Sequence, residues 1–263
     1  MIFNHDLSPI IFSLGDLHFR WYGLLFAFGI LLNYLFVSWI FKRKKYDMKH
    51  LDSLLVYLFV GMVVGARLGH AVFYNFDFYA NNPVEIFKIW KGGLASHGGA
   101  IGVFLAYWLW TKVNKVKFNK YIDAFALGIP LTAIFVRIGN FFNSEIVGVP
   151  TNGNWGIIYE RLGEDFPRHP VQLYESFGSL TIFVLMFWIY KKYDKKMPKL
   201  SYMFLLLTLY FAMRFVAEFW KKRHILPVDF PISMGQVLSI VPLLIGLSYF
   251  LFFFAKARKK NHA

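Results

Sequence analysis

Apolar residues along this chain come in long runs rather than in alternation or in a one-sided helical stripe. Seven runs stand out, centred on Tyr22–Phe41, Leu51–Phe73, Ser96–Thr111, Ile122–Ile138, Leu173–Tyr190, Ser201–Trp220 and Ile232–Ala255. A helix needs roughly 20 mainly apolar residues to cross a bilayer. The pattern therefore predicts an all-α, polytopic integral membrane protein of about seven transmembrane helices, the third being the shortest. No stretch between the runs is long enough for a separate soluble domain, so residues 1–263 read as one transmembrane domain.

The polar intervals add detail. Residues 1–20 are too short and too broken to span, and the alternation from Pro9 to Phe19 suits a segment lying in the membrane interface. Residues 76–95 form a loop with turn signals at Asn81-Asn82-Pro83 and Lys91-Gly92-Gly93. The longest interval, 139–171, is rich in Gly, Asn and Pro and predicts a small outer head.

Composition supports the membrane reading, with 57% hydrophobic and 21% aromatic residues. The chain has no cysteine, which excludes disulfides, thiolate metal sites and a cysteine nucleophile. Any thiol chemistry must use a thiol of the substrate. The N-terminal region carries Asp6 and Asp16 and lacks a basic start and a small-residue cleavage site, so the first helix is expected to stay as an anchor.

A net charge of +14 would suit a nucleic-acid binder, but its distribution argues for a membrane instead. With the N-terminus outside and seven crossings, the inner segments 42–50, 112–120, 191–199 and 256–260 hold 5, 4, 5 and 4 Lys or Arg. The outer segments hold 8, namely Arg20, Lys88, Lys91, Arg161, Arg168, Lys221, Lys222 and Arg223. This bias predicts N-out, C-in. Asp6, Asp16, Asp77, Glu85, Glu160, Glu164, Asp165 and Asp229 also fall outside. Lys221-Lys222-Arg223 runs against the rule, and reads as interfacial snorkelling residues or as a contact for anionic headgroups.

Charged residues within the apolar runs carry the chemistry. Each costs roughly 2.5–3.5 kcal/mol on insertion scales, so an intramembrane charge is a functional-site hypothesis by default. Arg67 lies in the second run beside Gly61, Gly65 and Gly69, which stand four apart and predict close approach of another helix. It needs a partner in the bundle or near the outer end. Tyr210, Arg214 and Glu218 also stand four apart, on one face of the sixth helix. They make either a neutralised structural pair or an arginine held for an anion such as phosphate.

From Arg137 to Gly148 an arginine, the amides of Asn140 and Asn143, and Glu145 alternate with apolar side chains at the outer end of the fourth helix. This density of donors suits a headgroup with phosphate and hydroxyls. His97, in Ser96-His97-Gly98-Gly99 at the start of the third helix, is a candidate general base or substrate contact. To act as a base it must be neutral. The stretch from Arg168 to Glu175 leads into the fifth helix, and Gln172, Tyr174 and Glu175 read as bracing for the site.

These segments together resemble the prolipoprotein diacylglyceryl transferase family of bacterial inner membranes. Residues 137–148, RIGNFFNSEIVG, are similar to its signature, with Val136 where the family usually has Gly. Trp21-Tyr22-Gly23, Gly65-Ala66-Arg67 with Phe73-Tyr74-Asn75, Ser96 to Gly99, His169 to Glu175, Arg214 with Glu218, and Ile232-Ser233-Met234-Gly235-Gln236 follow the family's order. The resemblance covers nearly the whole chain.

The resemblance implies seven helices around an outward-facing chamber. It implies transfer of diacylglyceryl from phosphatidylglycerol to the lipobox cysteine thiol of a prolipoprotein, giving a thioether and glycerol phosphate. By matching position, Arg137 and Arg214 bind the phosphate region or gate the chamber, with Asn140 and His97 as further lipid contacts. Tyr22, Asn140 and Gly148 match essential positions, and His97, Glu145, Tyr210 and Glu218 important ones. No metal or cofactor is called for, since two arginines can neutralise the leaving phosphate. A transporter would instead show broken midplane helices or inverted repeats. A purely structural protein would not need the 137–148 cluster.

Overall fold

The computed structural model describes residues 1–222 and 231–261. Arg223 and Asp229 of the charge argument lie outside the described residues, as do the side chains of the 256–260 cluster. The chain divides into two compact units, Met1–Val37 with Ile122–Ala263, and Ser38–Tyr121.

Every expected span is a helix: α1 (Trp21–Arg43), α2 (Met48–Phe73), α4 (Ser96–Val113), α5 (Ile122–Phe142), α6 (Val171–Tyr193), α7 (Ser201–Ala217) and α8 (Met234–Asn261). The expected bounds shift by a few residues, because polar caps and basic last turns extend the helices beyond their apolar cores. Asp47 caps α2 by accepting from the Lys49 amide at 2.9 Å, and Lys42 and Arg43 close α1. Among the described residues, six helices are long and apolar enough to cross a membrane. Here α4 falls short of that measure, its 18 residues being diluted by Ser96, His97, Gly98, Gly99 and Lys112.

Small β elements accompany the helices. In the first unit, β1 (Ile2–His5) pairs in parallel with β4 (Gly156–Tyr159), which builds the expected head from two distant segments. The segment from Pro9 to Arg20 contains a hairpin, β2 (Ile10–Leu14) against β3 (Leu17–Arg20), with Phe12 and Phe19 stacked at 4.3 Å. Loop 76–95 contains a short helix, α3 (Phe76–Asn81), followed by two 3-10 turns.

Polar anchors order the first unit. The Asp123 carboxylate at the start of α5 accepts from the amides of Leu200 (2.7 Å) and Met203 (3.0 Å), capping α7 from a neighbouring helix. Ser233 and Gln236 form a capping box at α8: the Ser233 hydroxyl accepts from the Gln236 amide, and the Gln236 carbonyl accepts from the Ser233 amide.

The second unit is built on small residues. A Cβ added at Gly65 would lie 2.7 Å from the Gly102 Cα, and one at Gly69 would lie 2.8 Å from the Gly98 Cα. The stripe on α2 therefore meets its own counterpart, Gly98, Gly102 and Ala106 on α4, backbone against backbone. Arg67 finds hydrogen-bond partners in the loop that follows α3, all of them backbone carbonyls, and its guanidinium also lies over the Tyr79 ring at 5.0 Å. Its guanidinium donates to Ile86, Gly92, Gly93, Glu85 and Lys88, which uses every N–H it has and pins loop 85–93.

Candidate active site

The signature segment closes α5 and then bends sharply. Arg137 and Asn140 lie one turn apart on α5, both buried, and Arg137 Nη1 donates to Asn140 Oδ1 at 3.1 Å. Asn140 Nδ2 passes the contact on to Glu145 Oε2 at 3.1 Å, and Asn143 Nδ2 donates to Glu145 Oε1 at 3.2 Å. Two amides thus hold the exposed Glu145 carboxylate. Its backbone is held as well: the fully buried Gln172 donates to the Glu145 carbonyl at 2.6 Å and accepts from the Tyr159 hydroxyl at 3.1 Å. On either side of Glu145, Ser144 (φ +54°) and Ile146 (φ +56°) adopt the left-handed conformation. That region is costly for a β-branched residue and recurs at functional sites.

The phenylalanines of the segment dock the head. Phe141 lies 4.4 Å from the His5 ring, and Phe142 lies 5.2 Å from Trp21. Burial lowers the pKa of His5, and it also pushes the Tyr159 phenol well above its ordinary value. Both residues are therefore neutral packing partners.

Arg137 also faces α6, where its Nε lies 2.9 Å from Glu175 Oε2. The other Glu175 oxygen accepts from Lys221 Nζ at 3.0 Å. Lys221 donates again to Glu218 Oε1 at 2.7 Å. These two residues meet because α7 tightens into a 3-10 turn at Glu218–Trp220, and 3-10 geometry superposes residues three apart. Arg214 Nη2 stands 3.9 Å from Glu218 Oε1, so the expected pair forms only loosely. The result is one alternating chain of charges, Arg137–Glu175–Lys221–Glu218–Arg214.

The start of α8 completes the support of Glu218. Ser233 Oγ donates to Glu218 Oε2 at 2.9 Å, and a Cβ at Gly235 would fall on the Glu218 carboxylate. A helix N-terminus beside a carboxylate adds favourable electrostatics.

Gly148 holds three backbones together. Its amide donates to the His169 carbonyl at 3.1 Å, its carbonyl accepts from Arg168 Nη1 at 3.0 Å, and it bridges Lys221 in antiparallel fashion. A Cβ there would lie 2.7 Å from the His169 Cβ and 2.8 Å from the Trp220 carbonyl oxygen. Only glycine fits. Arg168 is fixed in turn by Glu164, and that hydrogen-bonded pairing holds the Glu164 carboxyl below the usual carboxylate range. Burial lowers the pKa of His169, which keeps its ring neutral among Trp155, Tyr174 and Trp220.

Tyr22 packs on α5, where a Cβ at Gly139 would come 2.9 Å from its Cδ2. Its phenol feels the charges of Glu145 and Arg137. Tyr210 is half-buried on the Arg214 face of α7, with its ring 5.7 Å from Phe211. The first unit therefore gathers Tyr22, Arg137, Asn140, Glu145, Gly148, Arg214 and Glu218 around shared contacts. His97 belongs to the second unit. It is exposed in the first turn of α4, and among the described residues its ring has no hydrogen-bond partner. The Gly98 packing next to it on α4 fixes its backbone.

Two members of the charge chain carry more than the sequence suggested. Glu175 reads as bracing but pairs directly with Arg137. Lys221 reads as an interfacial lysine but is buried between two carboxylates. The signal was its place in the one basic cluster that ran against the expected N-out charge pattern.

Comparison with known proteins identifies the family. The family described as Prolipoprotein diacylglyceryl transferase matches residues 9–252. The chain is 44% identical over 245 residues to the phosphatidylglycerol–prolipoprotein diacylglyceryl transferase of Tolumonas auensis, covering 92% of this chain and 94% of that one. It is 38% identical over 271 residues to the protein of that name from Bacteroides fragilis, covering 97% and 96%. The Chloroherpeton thalassium protein of that name is 40% identical over 244 residues, covering 92% and 91%.

Proposed function

Because the chain belongs to the prolipoprotein diacylglyceryl transferase family, we propose that its network of buried charges is the phosphate-binding part of the active site. The protein is a multi-pass bacterial membrane enzyme. It transfers diacylglyceryl from phosphatidylglycerol to prolipoprotein, the first step of lipoprotein maturation.

The lipobox cysteine thiol attacks the glyceryl carbon that bears the phosphate. A carbon–sulfur bond forms, the carbon–oxygen bond breaks, and glycerol phosphate leaves with the electron pair. The thiol has an ordinary pKa near 8.5 and must lose its proton as it attacks. His97 accepts that proton. Its open ring, with no partner among the described residues, supports this role. Arg137 and Arg214 stabilise charge on the departing phosphate, and the loose engagement of Arg214 leaves its donors free for that task. Asn140 and Glu145 keep Arg137 in place, Tyr22 and Tyr210 line the approach, and Gly148 and Glu218 hold the surrounding backbone and charge.

The observation that carries the reading is the alternating chain from Arg137 to Arg214. In the direct ion pairs three cations stand against two carboxylates, with Glu145 reaching Arg137 only through Asn140, so these pairs carry one positive charge in excess for a phosphate to meet. Purified protein with phosphatidylglycerol and a lipobox peptide should release glycerol phosphate. His97→Gln and Arg137→Ala should each lose most of that activity. Near-normal turnover in both would remove the assignment.

Seven crossings with the N-terminus outside and the C-terminus in the cytoplasm fit best. The packing of α4 along α2 supports α4 as a crossing, since Gly65 and Gly69 meet Gly102 and Gly98 in antiparallel order. The charge bias is sharper than the raw count, because Arg168 and Lys221 are buried in ion pairs and do not act as free outer charges. The head at 139–171 and the β2–β3 hairpin then lie on the outer side. Accessibility of single cysteines introduced in loops 42–47 and 149–155, in right-side-out vesicles, tests this orientation.

A further inference from the structure

Lys221 sits where the two candidate phosphate-binding arginines are joined. It is 7% exposed, lies 3.0 Å from Glu175 and 2.7 Å from Glu218, and each of those carboxylates faces one arginine. We propose that Lys221 is a positioning residue for phosphatidylglycerol: it neutralises both carboxylates so that Arg137 and Arg214 stay available to the lipid phosphate. The proposal rests on the transferase reading above.

The charge balance shows why. With Lys221 the chain carries three cations and two carboxylates. Without it, two cations face two carboxylates, and each arginine becomes the sole counter-ion of a buried carboxylate. A buried carboxylate demands such a partner. The arginines would be drawn inward, and the excess positive charge offered to an anionic headgroup would vanish.

The backbone places the lysine. Lys221 pairs with Gly148, Val149 donates to the Trp220 carbonyl at 2.8 Å, and Lys222 donates to the Val147 carbonyl at 3.3 Å. The segment after α7 is thus laced to the end of the signature segment, and Gly148 sets its distance. A methyl group at 148 would clash with the His169 carbonyl and meet the Trp220 carbonyl at 2.8 Å, and the second contact would press on the residue before Lys221. This gives Gly148 a physical role: it is the spacer that seats Lys221.

Steady-state kinetics with phosphatidylglycerol vesicles and a lipobox peptide test the proposal. Lys221→Met should raise the KM for phosphatidylglycerol about tenfold or more, as expected when a hydrogen bond to a charged group is lost. The peptide KM should change little. Lys221→Arg keeps the positive charge between the two carboxylates, so it should stay within about threefold of the parent. Gly148→Ala combined with Lys221→Met should be no worse than the more damaging single change, because both act on one contact.

A parental lipid KM in Lys221→Met would overturn the proposal. So would equal losses in the Met and Arg variants, or a peptide KM that rises as much as the lipid KM. Should Lys221→Met fail to accumulate, Lys221→Gln takes its place under the same criteria. If the parent protein transfers no lipid, the transferase reading falls and binding of the protein to phosphatidylglycerol vesicles decides. Weaker binding by Lys221→Met than by Lys221→Arg then supports the role, and equal binding overturns it.

Discussion

Arg137 on α5 and Glu175 on α6 form an ion pair at 2.9 Å, with Glu175 only 1% exposed. The pair is more than a contact between two helices, because Glu175 also holds Lys221. Removing its charge leaves the buried Arg137 without its direct counter-ion and leaves Lys221 with Glu218 alone. Glu175→Gln should therefore destabilise the protein by about 3–5 kcal/mol, the usual cost of breaking a buried pair from one side. Thermal unfolding in detergent checks this, and an unchanged midpoint would contradict it.

The glycine stripes make a contrast that needs no activity assay. At Gly65 a side chain meets the Gly98 carbonyl and the Gly102 backbone, which cannot move aside. Gly65→Leu should cost about 1–3 kcal/mol or more through overpacking. At Gly99 the nearest atoms to an added Cβ are 3.5 Å away, which is ordinary contact. Gly99→Ala should be neutral, or stabilising by up to about 1 kcal/mol, since alanine favours the helix. Unfolding midpoints of the two variants should move in different directions. Equal losses would mean that α2 and α4 do not pack as described.

Segment 144–146 stores strain in a place that touches Glu145. Ile146 is 39% exposed and at φ +56°, so its side chain gains little from burial while its backbone is costly. Ile146→Gly should hold or raise stability by up to about 1 kcal/mol. Lipid transfer should fall at the same time, because a freer backbone no longer presents Glu145 to Asn140 and Asn143 at one angle. A variant that keeps full transfer would show the strain to be incidental.

How much could be read in advance follows from the range of each interaction. The long helices α1, α2 and α4 to α8 are legible because apolar runs and basic ends are local features of sequence, and Gly61, Gly65 and Gly69 announce a close neighbour by spacing alone; the short α3, inside a segment that reads as a loop, is not. The Arg137, Asn140 and Glu145 contacts are legible for the same reason, lying within nine residues of each other. Glu175 and Lys221 are not, because their pairing joins α6 to the residue just beyond the 3-10 turn that ends α7, 46 residues apart. The parallel pairing of β1 with β4 joins Ile2 to Gly156, which no local pattern encodes. Arg67 was legible as a charge needing partners. That the partners are five carbonyls depends on how loop 85–93 folds, which is a tertiary event.

Glu164 lets the head be tested by pH. Its hydrogen bonds to Arg168 lower its folded pKa below the free value of 4.5. A depressed carboxyl stabilises the fold fully above the unfolded value, and the contribution is lost as pH falls through the folded one. The parent should therefore be more stable than Glu164→Gln at neutral pH, and the difference should shrink below about pH 4.5 and vanish in stronger acid. Arg168 also donates to the Gly148 carbonyl, so the same acid range should loosen the seat of Lys221. Unfolding midpoints of both proteins from pH 7 down to about pH 3 measure the difference directly. A gap that stays constant across that range would mean that the Glu164–Arg168 pair does not hold the head.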